Sequence, residues 1–345
     1  MLMYNVVLPI LFLSLFISRI KPKSKELLYG TVLLLLFFAT FKGLNVGTDS
    51  YEYWDTFTYV HKYLKDDKYS GLQSGFIYFT LAVHNIGGYS LYLLVCYSIC
   101  LFGYASFFQK CSMNNSLSFL MFFMLAYYIS SLNIMRQYMA MGIYVVGLTY
   151  LYNGQKKPYV LLTLLASLFH YTAIIFLPLV FIDKITSIFS KPKIVIVLVI
   201  TSLVLGFFFK SHMFNILLMV IERIYNIGYV DWIASNFEME RHLISNLGLN
   251  AFFLSTYLLS KNRSSIFMII WALGVMLCNM FGNMDQANRI FLYLNMGILI
   301  VVPETLYNIQ KRYIKYGYFT FLMCYLSVIW IYLRETNEVL PYVFR

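Results

Sequence analysis

Apolar residues fall in blocks of thirteen to twenty-four along most of this chain, divided by short polar stretches. A helix needs about 20 residues to cross the hydrocarbon core of a bilayer, so each block predicts a membrane helix. The blocks lie near residues 1–17, 27–43, 75–87, 89–108, 117–129, 134–152, 159–182, 194–209, 243–260, 265–281, 290–307 and 317–333. Residues with period-two alternation, the mark of an outer-membrane barrel, are absent. The pattern predicts an all-α, polytopic integral membrane protein with about 10–12 transmembrane or re-entrant helices, forming a single membrane domain over 1–345. Two hydrophilic stretches interrupt it, at about 44–73 and 211–242.

Charge gives the helices a direction. Cations gather in short loops: Arg19, Lys21, Lys23 and Lys25; Lys156 and Lys157; Lys261 and Arg263; Lys311, Arg312 and Lys315. Loops of this kind face the cytoplasm. The first apolar block has no Lys or Arg before it and four cations after it, the reverse of a cleaved signal peptide, so it is expected to stay as a membrane helix with its N-terminus outside. Both hydrophilic stretches then fall on the outer face. Parity constrains the middle of the chain: placing Lys110, Lys156 and Lys157 inside makes the short 75–87 block re-entrant or interfacial. If Lys184, Lys191 and Lys193 are also inside, the 159–182 block enters and leaves on one side, with His170 near the apex of a broken hairpin. Such backbone is tolerated in a membrane only where protein buries it or water reaches it.

Composition agrees and narrows the function. The chain is 60% hydrophobic and only 12% charged, against roughly a quarter charged in soluble domains. Its net charge of +11 sits in the short loops, with no basic, aromatic-interleaved domain to hold nucleic acid. Cys96, Cys100, Cys111, Cys278 and Cys324 lie mostly within apolar blocks without metal-ligand spacing, as packing residues do. No GxxxxGK[ST], zinc or GxSxG motif occurs, so nothing calls for a nucleotide, a metal or another cofactor.

Four features carry candidate chemistry. Arg136 stands in an otherwise apolar block, near its outer end; it either snorkels to headgroups or pairs a phosphate or carboxylate with its planar fork. Arg289 begins another block on the same side and has Asp285 four residues earlier as an internal partner. His170 is alone among apolar residues, open to packing or to acid–base work, with Pro178 eight residues on. The outer stretch NVGTDSYEYWDTFTYVHKY mixes Asp49, Glu52 and Asp55 with Tyr51, Tyr53, Trp54, Phe57, Tyr59 and Tyr63. That mixture suits an interfacial aromatic belt or a carbohydrate site, where rings stack on sugars and carboxylates accept hydroxyl hydrogen bonds.

GTDSYEY (47–53), SGF (74–76), MRQYMAMGIY (135–144), ASLFHYTAIIFLP (166–178) and NRIFLYL (288–294) occur in this order. Together they resemble the EpsG family of bacterial exopolysaccharide and capsule proteins, which are similar to Wzy-type polymerases of GT-C-like architecture. The resemblance covers about residues 45–295. It implies a glycosyltransferase of the bacterial cytoplasmic (inner) membrane that joins polyprenyl-pyrophosphate-linked oligosaccharide repeat units on the outer face, for exopolysaccharide, capsule or O-antigen. On that basis Arg136 and Arg289 are expected to bind the pyrophosphate, Asp49 or His170 to take the acceptor's proton, and Glu52, Tyr51, Tyr53 and Trp54 to hold sugar. Membrane lipid, a flippase and a chain-length regulator are the implied partners, and no nucleotide is required. One departure stands out: family members often carry an acidic residue before the Gly-Phe pair, where this chain has Gln73-Ser74. A glycan ligase using the same arginines, a flippase of lipid-linked sugars and a non-catalytic scaffold are the alternative readings.

Overall fold

A computed structural model describes residues 2–65, 72–208, 219, 243–281, 285–333, 339 and 342–344. Among these the chain is helical, apart from one isolated antiparallel bridge between Lys42 and Phe344. The expected stretch 211–242 lies outside the described residues except for Met219, as do Asp66, Asp67 and the side chain of Asp285. The protein is a polytopic membrane protein. Large apolar side chains such as Phe16 and Val328 (both 65% exposed) face outward, while serine, asparagine and tyrosine are buried. Water would penalise that inversion, whereas lipid favours it.

The helices follow the apolar blocks but break more often. Four helices in the described residues are long and apolar enough to cross a membrane, five if one bent pair counts as a single span. Four further apolar helices among the described residues are shorter. Two of the blocks are broken for identifiable reasons. The 117–129 block is two helices, Asn115–Met124 (α7) and Tyr127–Asn133 (α8), bent by 54° where Ala126 adopts a left-handed φ of 60°. The 159–182 block is α10 (Lys156–Ser167) followed, after Leu168–His170, by a 3-10 helix over Tyr171–Ile185. Pro178 lies inside that 3-10 helix and cannot donate an α-helical hydrogen bond. The interruption expected at His170 is therefore present.

The residues sort into two compact units, Met1–Val180 with Gly317–Arg345, and Phe181–Tyr316. In the first, α2 (Lys25–Thr40), α6 (Tyr89–Cys111), α9 (Met135–Tyr152) and α10 pack side by side. Small residues set the closest approach. A Cβ on Gly103 of α6 would lie 2.3 Å from the Gly142 carbonyl oxygen of α9, so no larger residue fits. Trp330 of the helix Arg312–Leu333 packs on Tyr4 and Phe123. In the second unit a buried amide pair joins helices: Asn250 Nδ2 donates to Asn279 Oδ1 at 2.6 Å, and Asn279 Nδ2 returns the bond to Asn250 Oδ1 at 2.9 Å. Asn279 also donates to Ser202 Oγ at 2.9 Å. With hydrocarbon outside, such bonds hold helices in register at about 0.6–2 kcal/mol each.

Candidate active site

Helix α2 ends at Thr40, two residues short of Lys42, so Lys42 lies in the turn that follows the helix. That turn carries GTDS, and all four of these residues shape it. Gly47 has φ +91°, and a Cβ there would sit 3.1 Å from the Cα and Oδ1 of Asn133. Only glycine meets both conditions. The Thr48 hydroxyl and the Asp49 N–H both donate to Asn133 Oδ1, at 2.9 and 2.8 Å. Ser50 accepts from Lys42 Nζ at 2.7 Å and donates to the Val46 carbonyl. Asp49 is thus fixed by its backbone, as the residue preceding α3 (Ser50–Thr58), while its half-buried carboxylate makes no cap bond. The Thr48 hydroxyl oxygen also lies 3.1 Å from Asp49 Oδ1, so its one proton is shared between Asn133 and Asp49.

Helix α3 presents two faces. Tyr51 (61% exposed) and Trp54 lie with ring centroids 5.5 Å apart, and Glu52 is exposed beside them. Tyr53 points the other way: it is buried, 6.3 Å from the Phe76 ring, and its hydroxyl accepts from the Arg136 N–H at 3.4 Å. Tyr53 therefore fastens α3 to α9 and presents no open ring face to a sugar. Asp55 is engaged by the Tyr63 hydroxyl at 2.9 Å. Although the residue is exposed as a whole, partial desolvation of its carboxyl pushes Glu52 above the ordinary glutamate range; Asp49 pushes the same way and Arg136 opposes both.

Arg136 is the second residue of α9, just past Ile134, where φ −88° and ψ 55° break the chain between α8 and α9. Its guanidinium carbon lies 5.7 Å from the Phe76 ring centroid. The Nε and Nη1 atoms are buried and have no hydrogen-bond partner within the protein. Two buried, charged donors without an acceptor carry an unmet desolvation cost.

Phe76 belongs to α5 (Ser74–His84), the short helix formed by the 75–87 block. A Cβ on Gly75 would come 2.6 Å from the Leu168 carbonyl oxygen, so the α5 start and the Leu168–His170 break are in direct backbone contact. Phe79 packs on Phe169 with centroids 5.6 Å apart. His170, half-buried, has Nδ1 2.5 Å from the Thr172 hydroxyl. Asp49, Glu52, Tyr53 and Arg136 are thus gathered directly, and His170 is joined to them through α5. Arg289 is half-buried on the helix Asp285–Asn295 of the second unit.

A family model matches residues 27–344 of this chain. The chain belongs to the EpsG family. The match runs well beyond the motif-bearing region at both ends and takes in nearly all the helices. EpsG membership makes this an exopolysaccharide-related membrane protein. No curated protein and no solved structure matches it.

Two residues at this site, Asn133 and Lys42, were not picked out from sequence, and a third, Gln73, stood out only as a departure from the family pattern. Asn133 sits in YYISSLN, where a polar residue ending an apolar run gives no hint that it receives the GTD turn. Lys42, 2% exposed, stands near the end of an apolar block with nothing in the sequence to mark it. Gln73, at the α5 start three residues before Phe76, is 5% exposed, and its Oε1 is buried without a partner. Gln73 therefore places a neutral, unpaired acceptor at the start of α5.

Proposed function

We propose that this protein is a polysaccharide polymerase that joins polyprenyl-pyrophosphate-linked oligosaccharide repeat units on the outer face of the bacterial cytoplasmic membrane. The observation that carries the reading is Arg136: two buried guanidinium donors without partners, beside two carboxylates and an exposed aromatic pair. A pyrophosphate leaving group needs fixed positive charge where its negative charge develops. A sugar needs carboxylates and aromatic faces.

In this mechanism the acceptor sugar's hydroxyl oxygen attacks the anomeric carbon of the donor unit. The bond between that carbon and the pyrophosphate oxygen breaks, and its electron pair leaves with the polyprenyl pyrophosphate. Asp49 takes the hydroxyl proton, its backbone held by Asn133 while its carboxylate stays available. His170 is the other candidate for that proton. Arg136 holds the departing pyrophosphate through its Nε and Nη1 donors. Glu52, Tyr51 and Trp54 orient the acceptor sugar. Flippase and chain-length regulator proteins are the expected partners.

The test is product length. Purified protein given one lipid-linked repeat unit should yield a ladder whose rungs differ by one repeat, with one polyprenyl pyrophosphate released per linkage. A single product on a different acceptor would indicate a ligase. Movement of unaltered substrate across vesicle membranes would indicate a flippase.

A further inference from the structure

We infer that Lys42 is a positioning residue for this site: its ammonium ties the turn carrying Asp49 to the break from which Arg136's helix starts, and so sets the carboxylate and the guanidinium relative to one another. The inference rests on the polymerase reading for its kinetic consequence, but the tie itself is geometric. Lys42 Nζ donates to the Val46 carbonyl at 3.2 Å, to Ser50 Oγ at 2.7 Å and to the Leu132 carbonyl. Val46 and Ser50 bracket Gly47–Asp49, while Leu132 precedes Asn133 at the end of α8. One side chain therefore spans segments 90 residues apart in sequence. Its own backbone is anchored from behind, because Lys42 bridges Phe344 and the Gly43 N–H donates to the Val343 carbonyl at 2.7 Å.

The tie requires the charged form. Three acceptors surround a nitrogen that has three protons only as ammonium. Ser50 has already committed its own proton to Val46, so its oxygen must accept. A neutral amine has two protons and a lone pair, which would face a carbonyl and break one contact. Burial pulls the Lys42 ammonium down to about 7, with Asp49 raising it against that pull. The ring of Tyr97 also faces it, 5.8 Å away. The tie is thus held by a charge that can be lost near neutrality, and it loosens as pH rises through about 7.

Hydrogen exchange on the full-length protein in nanodiscs tests the tie without relying on activity. In wild type, protection of the Val46, Asp49 and Ser50 amides should fall between pH 6 and 8.5 by more than intrinsic exchange accounts for. In K42M it should be low at both pH values. In K42R, whose guanidinium does not titrate there, it should stay high, with thermal unfolding checking that the larger side chain is accommodated. Protection in K42M equal to wild type at both pH values overturns the inference. Kinetics give the second readout: K42M should lose about 10–100-fold in kcat/KM, the range for misplaced reacting groups, and lose the alkaline limb through about 7. A wild-type ladder with an unchanged K42M rate and pH profile would sink the positioning role alone. Absence of any wild-type ladder would sink the polymerase reading and leave the tie to stand or fall by exchange.

Discussion

Replacing Arg136 separates binding chemistry from fold. In the free protein its Nε and Nη1 protons are buried without acceptors, so they contribute nothing to folding and carry an unmet desolvation cost. A pyrophosphate would satisfy both. A hydrogen bond to a charged group is worth about 1.5–3 kcal/mol, so losing two removes about 3–6 kcal/mol of transition-state stabilisation. At about 1.4 kcal/mol per decade, R136Q should lose about 10²–10⁴-fold in kcat/KM. R136K keeps the charge and loses the fork, so it should fall between the two. Thermal unfolding of R136M should match or exceed wild type, because removing unpaired buried donors relieves a cost. The assay is the initial rate of ladder formation on a lipid-linked repeat unit, with unfolding monitored on the same preparations. An R136Q rate within threefold of wild type would refute the role, and so would loss of activity that merely tracks loss of fold.

The remaining predictions are quicker to state. Glu52 titrates above an ordinary glutamate, so a raised carboxyl of this kind makes the folded protein lose stability as pH rises through that window. Activity moves the opposite way, falling with acid as the sugar-holding carboxylate is protonated; E52Q should flatten that acid limb in a pH–rate profile. R136Q should push the Glu52 titration higher still, since it removes the guanidinium's opposing effect. G47A should cost about 1–2 kcal/mol through its positive φ and its clash with Asn133, seen as loss of protection in the GTD turn by hydrogen exchange. N279A leaves Asn250 unmet in the second unit, and should lower thermal stability by about 1–3 kcal/mol without changing the behaviour of the Arg136 site.

The family and the membrane character were legible because both are written in local pattern: apolar runs of bilayer length, and short motifs whose residues stay together. Arg136 was conspicuous for the same reason, as a charge in the wrong solvent. The breaks were less visible. Ala126 at a left-handed φ and the hinge at Ile134 carry no glycine or proline to announce them. Tyr53 looked like its neighbours in a Tyr-rich stretch, and only the helical turn of α3 decides that Tyr51 faces out while Tyr53 anchors Arg136. Asn133 and Lys42 act across separations of 84 and 90 residues. Such pairings are set by helix packing, which no single stretch of sequence encodes. Gln73 was noticed only as a departure; its burial beside Gly75 and Phe76 is a consequence of the α5 contact with Leu168.

The central claim is that Arg136 receives a polyprenyl pyrophosphate. A structure of the full-length protein in a bilayer mimetic, bound to a lipid-linked repeat unit, addresses it most directly. The account predicts phosphate oxygens about 2.7–2.9 Å from Arg136 Nε and Nη1, with sugar against Tyr51 and Trp54. Pyrophosphate density elsewhere, with Arg136 turned to pair Glu52, would contradict it.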